Sequence, residues 1–95
     1  RILYKDIQSI THEGKYSIFL VQGERKIRVR KTLKEIFEEL TNYDFIWIDR
    51  GTICNLAFVE CVHNGAIVMK NGDKFWISRG KIKYFKQLIQ KYWGE

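Results

Sequence analysis
The chain of 95 residues contains no proline, only two cysteines and only seven glycines. Without proline, and with glycine sparse, it holds no flexible linker and no polyproline segment. Cys54 and Cys61 are too few to staple a small scaffold, and they lack the C-x-x-C spacing of redox and zinc sites. Such usage fits reducing surroundings, so a cytoplasmic location is expected. No apolar run approaches the roughly 20 residues of a membrane-spanning helix, and no signal-peptide pattern is visible. The G-x-G-x-x-G, Walker, G-x-S-x-G and H-E-x-x-H motifs are all missing. His12 and His63 are the only histidines. Cys54, Cys61 and His63 offer no fourth metal ligand, so two buried thiols are the plainer explanation. No metal, cofactor or catalytic group is expected.

What is present is enough apolar material for a core. Hydrophobic residues make up 45% and aromatics 15%, which excludes a disordered chain. One domain spanning residues 1–95 is the expectation at this length. The chain opens on Arg1 and enters a strand pattern almost at once, which fits the C-terminal part of a longer regulator. Net charge is +6 and the pI is near 9.5, so an anionic partner is favoured, nucleic acid before a membrane surface. Arg79, Lys81, Lys83, Lys86 and Lys91 follow one another with no acid between them, while Glu35, Glu38 and Glu39 gather elsewhere. That segregation predicts a positive face.

The pattern along the chain is mostly β. Residues 2–11 read as a strand whose alternation slips between Ser9 and Ile10, as a bulge would make it do. Gly14 allows a turn into a second strand over 16–21, and Gly23 a turn into a third over 26–30, with Ile27 and Val29 inward. Thr32 with Glu35 three residues on forms a capping box, and Leu33, Ile36, Phe37 and Leu40 place one apolar stripe on a helix over 32–40. A short strand over 45–48 then runs into Asp49-Arg50-Gly51. A three-strand meander follows over 58–63, 66–70 and 74–78, turned by Asn64-Gly65 and Asn71-Gly72. Ser78 is the expected N-cap of a last helix with Ile82, Phe85, Ile89 and Tyr92 inward. Trp47, Trp76 and Trp93 are expected as packing groups, with Trp93 folding back on the sheet, and Asn55 as a structural amide.

Two arginines stand out because each follows an apolar run and precedes a glycine: Arg50 and Arg79. A guanidinium on a strand-end loop is held by a rigid scaffold yet reaches outward, and its planar fork suits phosphate or a guanine edge. The plainer explanation for Arg50 is an ion pair with Asp49 or Glu60. An arginine in a helix first turn is mildly unfavourable against the dipole, which gives Arg79 a reason to be there for something else. The alternating cations of residues 26–30 are read as a solvated edge.

These residues together resemble the LytTR domain, the DNA-binding output module of many bacterial response regulators in two-component systems. The likeness runs through Asp6-Ile7, the helix at 32–40, Phe45, Ile48, Arg50 and residues 53–56, where the family pattern is similar to F-x-R-I-H-R-S-x-I-V-N. It continues through Asn71-Gly72 to Ile77-Ser78-Arg79. The resemblance implies a mainly β fold with two helices (α+β), its antiparallel strands in small sheets, and loops rather than a recognition helix entering major grooves. It implies DNA contact at Ser17, Arg50 and Arg79; charge and nearness in sequence add Lys15, Lys81 and Lys83 as phosphate contacts. It also implies double-stranded DNA as partner, an N-terminal receiver or other regulatory domain, and a dimer on the DNA. Three positions depart from the pattern: Trp47 for Arg, Asp49 for His and Gly51 for Ser. Sequence-specific DNA binding in transcription regulation is the expected function. The alternative is a protein-interaction or regulatory domain on the same scaffold that has lost DNA reading.

Overall fold
Alternation with a period of two dominates the chain, and the described residues form eight strands. The computed structural model describes residues 2–94. Its elements divide into two compact units, Arg1–Ala57 and Phe58–Glu95.

In the first unit a 3-10 turn at Tyr4–Asp6 precedes β1 (Ile7–Glu13), so the opening strand starts later than its apolar pattern suggested. β1 does carry a bulge, but between Ile7 and Ser9, earlier than the slip expected between Ser9 and Ile10. β2 (Tyr16–Val21), β3 (Arg25–Val29), β4 (Phe45–Asp49) and β5 (Thr52–Asn55) complete an antiparallel sheet in the order β3-β2-β1-β5-β4. The sequence reading missed β5 as a strand. It is the element that joins the β1–β3 meander to β4, pairing Ser9 with Cys54 and Thr11 with Thr52. Helix α1 (Leu33–Glu39) closes one face, and its capping box forms as expected. Thr32 Oγ1 accepts from the Glu35 N–H at 3.1 Å, and Glu35 Oε1 accepts from the Thr32 N–H at 2.9 Å. Leu33, Ile36 and Leu40 pack there with Ile7, Ile10, Phe19, Val21, Phe45 and Ile53. Each such side chain contributes about 1.5–3 kcal/mol through burial.

The second unit is smaller. β6 (Val59–His63), β7 (Ala66–Met69) and β8 (Lys74–Trp76) form an antiparallel sheet in that order. Asn64 and Gly65 both take positive φ, 51° and 79°, as a two-residue hairpin demands. Helix α2 (Ile82–Tyr92) buries Phe85 and Ile89. It begins later than expected, after a 3-10 turn at Arg79–Lys81, and Ser78 makes no side-chain capping bond. Two further expectations fail in this unit: Cys61 is exposed rather than buried, and Trp76 is 70% exposed because β8 is an edge strand. Trp93 is half exposed, with the Lys70 ammonium 4.6 Å from its ring centre.

Two small antiparallel sheets with a helix each are the architecture expected from the sequence. Among the described residues, no helix is long and apolar enough to cross a membrane.

Candidate nucleic-acid interface
Three of the six predicted contact positions meet around one groove of the first unit. Two tight hairpins build it. Glu13 pairs with Tyr16, leaving Gly14 (φ +62°) and Lys15 as the β1–β2 turn, so Lys15 stands at a loop tip with its ammonium in solvent. Asp49 pairs with Thr52, leaving Arg50 and Gly51 as the β4–β5 turn. Thr11 opposite Thr52 in the β1–β5 ladder ties the two hairpins together. The concavity between these turns and the start of α1 has a volume of about 340 Å³, and Lys15, Ser17, Lys31, Lys34, Trp47 and Arg50 are among its lining residues.

 A separate concavity of about 500 Å³ lies in the second unit, lined by Glu60, Cys61, Val62, Lys86, Ile89 and Trp93 among others, and it contains none of the predicted positions.

The electrostatics of the groove follow from which cations are already paired. Lys31 Nζ lies 2.8 Å from Glu39 Oε2, and this bond raises the Lys31 pKa while lowering that of Glu39. Glu35 is likewise held below the ordinary carboxylate value, by the hydrogen bonds from the Thr32 backbone and side chain. Lys15, Lys34 and Arg50 make no ion pair among the described residues. The expected alternative for Arg50, a bridge to Asp49, is not formed. Asp49 Oδ1 instead accepts from the Gly51 N–H at 2.9 Å, so the carboxylate shapes the turn and leaves the guanidinium exposed.

Ser17 differs from Lys15 and Arg50 in its surroundings. It is 0% exposed beneath the groove, and its hydroxyl donates to the Lys31 carbonyl at 2.7 Å. A hydroxyl so placed holds the segment leading into α1. Asn55 is structural, as expected: its Nδ2 donates to the Ile7 carbonyl at 2.8 Å, and its Oδ1 accepts from the Ala57 N–H at 3.0 Å. Trp47 packs against Phe37, ring centres 5.2 Å apart. Lys34 and His12 were missed by the sequence reading. Lys34 lies inside the capping box, between Thr32 and Glu35, where a cation opposes the helix dipole and so is a signal; His12 gives none until the β1–β5 register is known.

The other three positions lie in the second unit. Arg79 and Lys81 are exposed on the 3-10 turn and Lys83 is exposed in the first turn of α2. Trp76 and Tyr84, 70% and 58% exposed, stand near them in sequence. Among the described residues there is no group of three His, Cys, Asp or Glu side chains that could hold a metal ion.

Comparison with known proteins agrees with this reading of the fold. The family profile described as the LytTr DNA-binding domain matches residues 1–90. A solved structure of the LytTr DNA-binding domain of a protein described as a methyl-accepting/DNA response regulator from Bacillus cereus superposes with a TM-score of 0.73. It shares 18% sequence identity, over 93% of this chain and 84% of that one. No curated protein matches the chain.

Proposed function
Since this chain belongs to the LytTR DNA-binding domain family, we propose that it reads specific double-stranded DNA through its strand-connecting turns, which enter major grooves. The observation that carries the reading is the placement of Lys15 and Arg50 on two adjoining hairpin turns, both cations exposed and unpaired. A guanidinium free of protein partners can take a guanine edge or a phosphate in two parallel bonds. Arg79 is the second base-reading group. Lys81, Lys83, Lys15 and Lys34 supply phosphate contacts, which add affinity without sequence information. Ser17 has no direct part.

In this reading the chain is the output module of a response regulator, cytoplasmic, joined to a receiver or other regulatory domain and acting as a dimer on paired half-sites. Selection from random duplexes at fixed salt, followed by binding titrations, tests it. With about six phosphates neutralised, log K falls against log[salt] with a slope near −5, from about −0.9 per contact. Failure to select any duplex, or binding that ignores salt, defeats the proposal and leaves the protein-interaction alternative.

A further inference from the structure
The β1–β5 register that pairs Thr11 with Thr52 sets His12 beside Gly51. A Cβ built on Gly51 would lie 3.1 Å from both Cδ2 and Nε2 of the His12 ring. No positive φ marks Gly51, so its backbone does not require glycine. What the missing side chain provides is room for the imidazole. The ring is exposed, lines the groove with Lys15, Lys34 and Arg50, and has no hydrogen-bond partner among the described residues. An imidazole seated against a turn, with its nitrogens unclaimed, is a polar contact group fixed in place.

We propose that His12 is a DNA-contacting residue, hydrogen-bonding a phosphate oxygen or a base edge beside the atom taken by Arg50, and that Gly51 is the residue that seats it. The imidazole thereby replaces the side chain that residue 51 lacks on the tip of the β4–β5 turn. This rests on the DNA-binding reading above.

The test is a cycle of titrations on the selected duplex, with His12→Ala, Gly51→Ala and the double variant, and with thermal melts confirming that each is folded. His12→Ala weakens binding about fivefold, the usual effect of one hydrogen bond. Gly51→Ala weakens it in the parent, because the ring must shift by a few tenths of an ångström. In the His12→Ala background the same change has no further effect. His12→Gln, which keeps a polar tip, recovers part of the loss. Loss confined to the selected sequence assigns the contact to a base, and equal loss on a scrambled duplex assigns it to phosphate. Unchanged binding by His12→Ala, or strictly additive losses in the cycle, overturns the proposal while leaving the DNA reading intact. A parent chain that selects no duplex overturns both.

Discussion

The two units hold their cations in different ways. In the first, Lys15 and Arg50 sit on two-residue hairpin turns closed by paired strands, and in the β4–β5 turn the Gly51 N–H also donates to Asp49 Oδ1. In the second, Arg79 and Lys81 sit on a single 3-10 turn with no side-chain cap, and Lys83 follows on the exposed side of a helix. Fixed turns suit directional reading, because a hydrogen bond to a base edge tolerates little error. A loosely capped turn carries charge equally well but fixes its direction less. Under the proposed function the comparison separates positions that aim from positions that attract, and five measurements sharpen or break it.

The largest effect is expected from Asn55→Ala. It leaves the Ile7 carbonyl and the Ala57 N–H without their partner in a buried site, costing about 3 kcal/mol. Urea unfolding measures the cost, and amide exchange locates it. Exchange should accelerate in β1 and β5; an equal acceleration in β6 and β7 would break the distinction between the units.

Next come Arg50→Ala and Arg79→Ala, each costing about 1–3 kcal/mol of binding on the preferred duplex. If the fixed turn aims better, Arg50→Ala loses more discrimination between preferred and scrambled duplexes than Arg79→Ala does. Lys83→Ala should weaken all sequences alike and reduce the salt slope by about 1. Ser17→Ala is smaller, about 1 kcal/mol of stability from one buried hydrogen bond. Binding per folded molecule should stay as it was. Full stability combined with lost binding would return Ser17 to the interface.

The smallest effect is that of pH on the start of α1. Glu35 and Glu39 both titrate below their ordinary 4.5 in the folded chain, held by Thr32 and Lys31 respectively. Their contribution to stability is therefore full above 4.5 and is lost as pH falls through the lower folded values. Lys31 shifts upward, so its share is lost only as pH rises past 10.5. All three groups are at the surface, so the change is slight. Thr32→Ala should remove the Glu35 part of the acid dependence.

Much of this fold was legible because local signals agreed with the tertiary outcome. Thr32 and Glu35 announced α1, Asn64-Gly65 announced a hairpin, and the alternation at 26–30 placed Ile27 and Val29 inward. β5 was hidden because Asp49-Arg50-Gly51 looks like the end of a strand, whereas the chain turns in two residues and returns. The bulge between Trp47 and Asp49 obscured the period there. The burial of Ser17 was not legible because β2 carries apolar groups on both faces, so its sequence does not say which way the hydroxyl points. Trp76 and Cys61 were misplaced for a related reason: composition favours burial, but strand position decides it. The groove itself was legible only in part. Lys15 and Arg50 showed as turn cations, while their meeting depends on the β1–β5 ladder.

Cys54 and Cys61 differ more than two thiols of one small chain need to. Burial pushes the Cys54 thiol up to about 12, while Cys61 is open to solvent. An alkylating reagent would therefore mark one sulfur at once and wait for the other until the five-stranded sheet breathes. The slow label would serve as a clock for opening of the five-stranded unit, with the fast label as its internal standard.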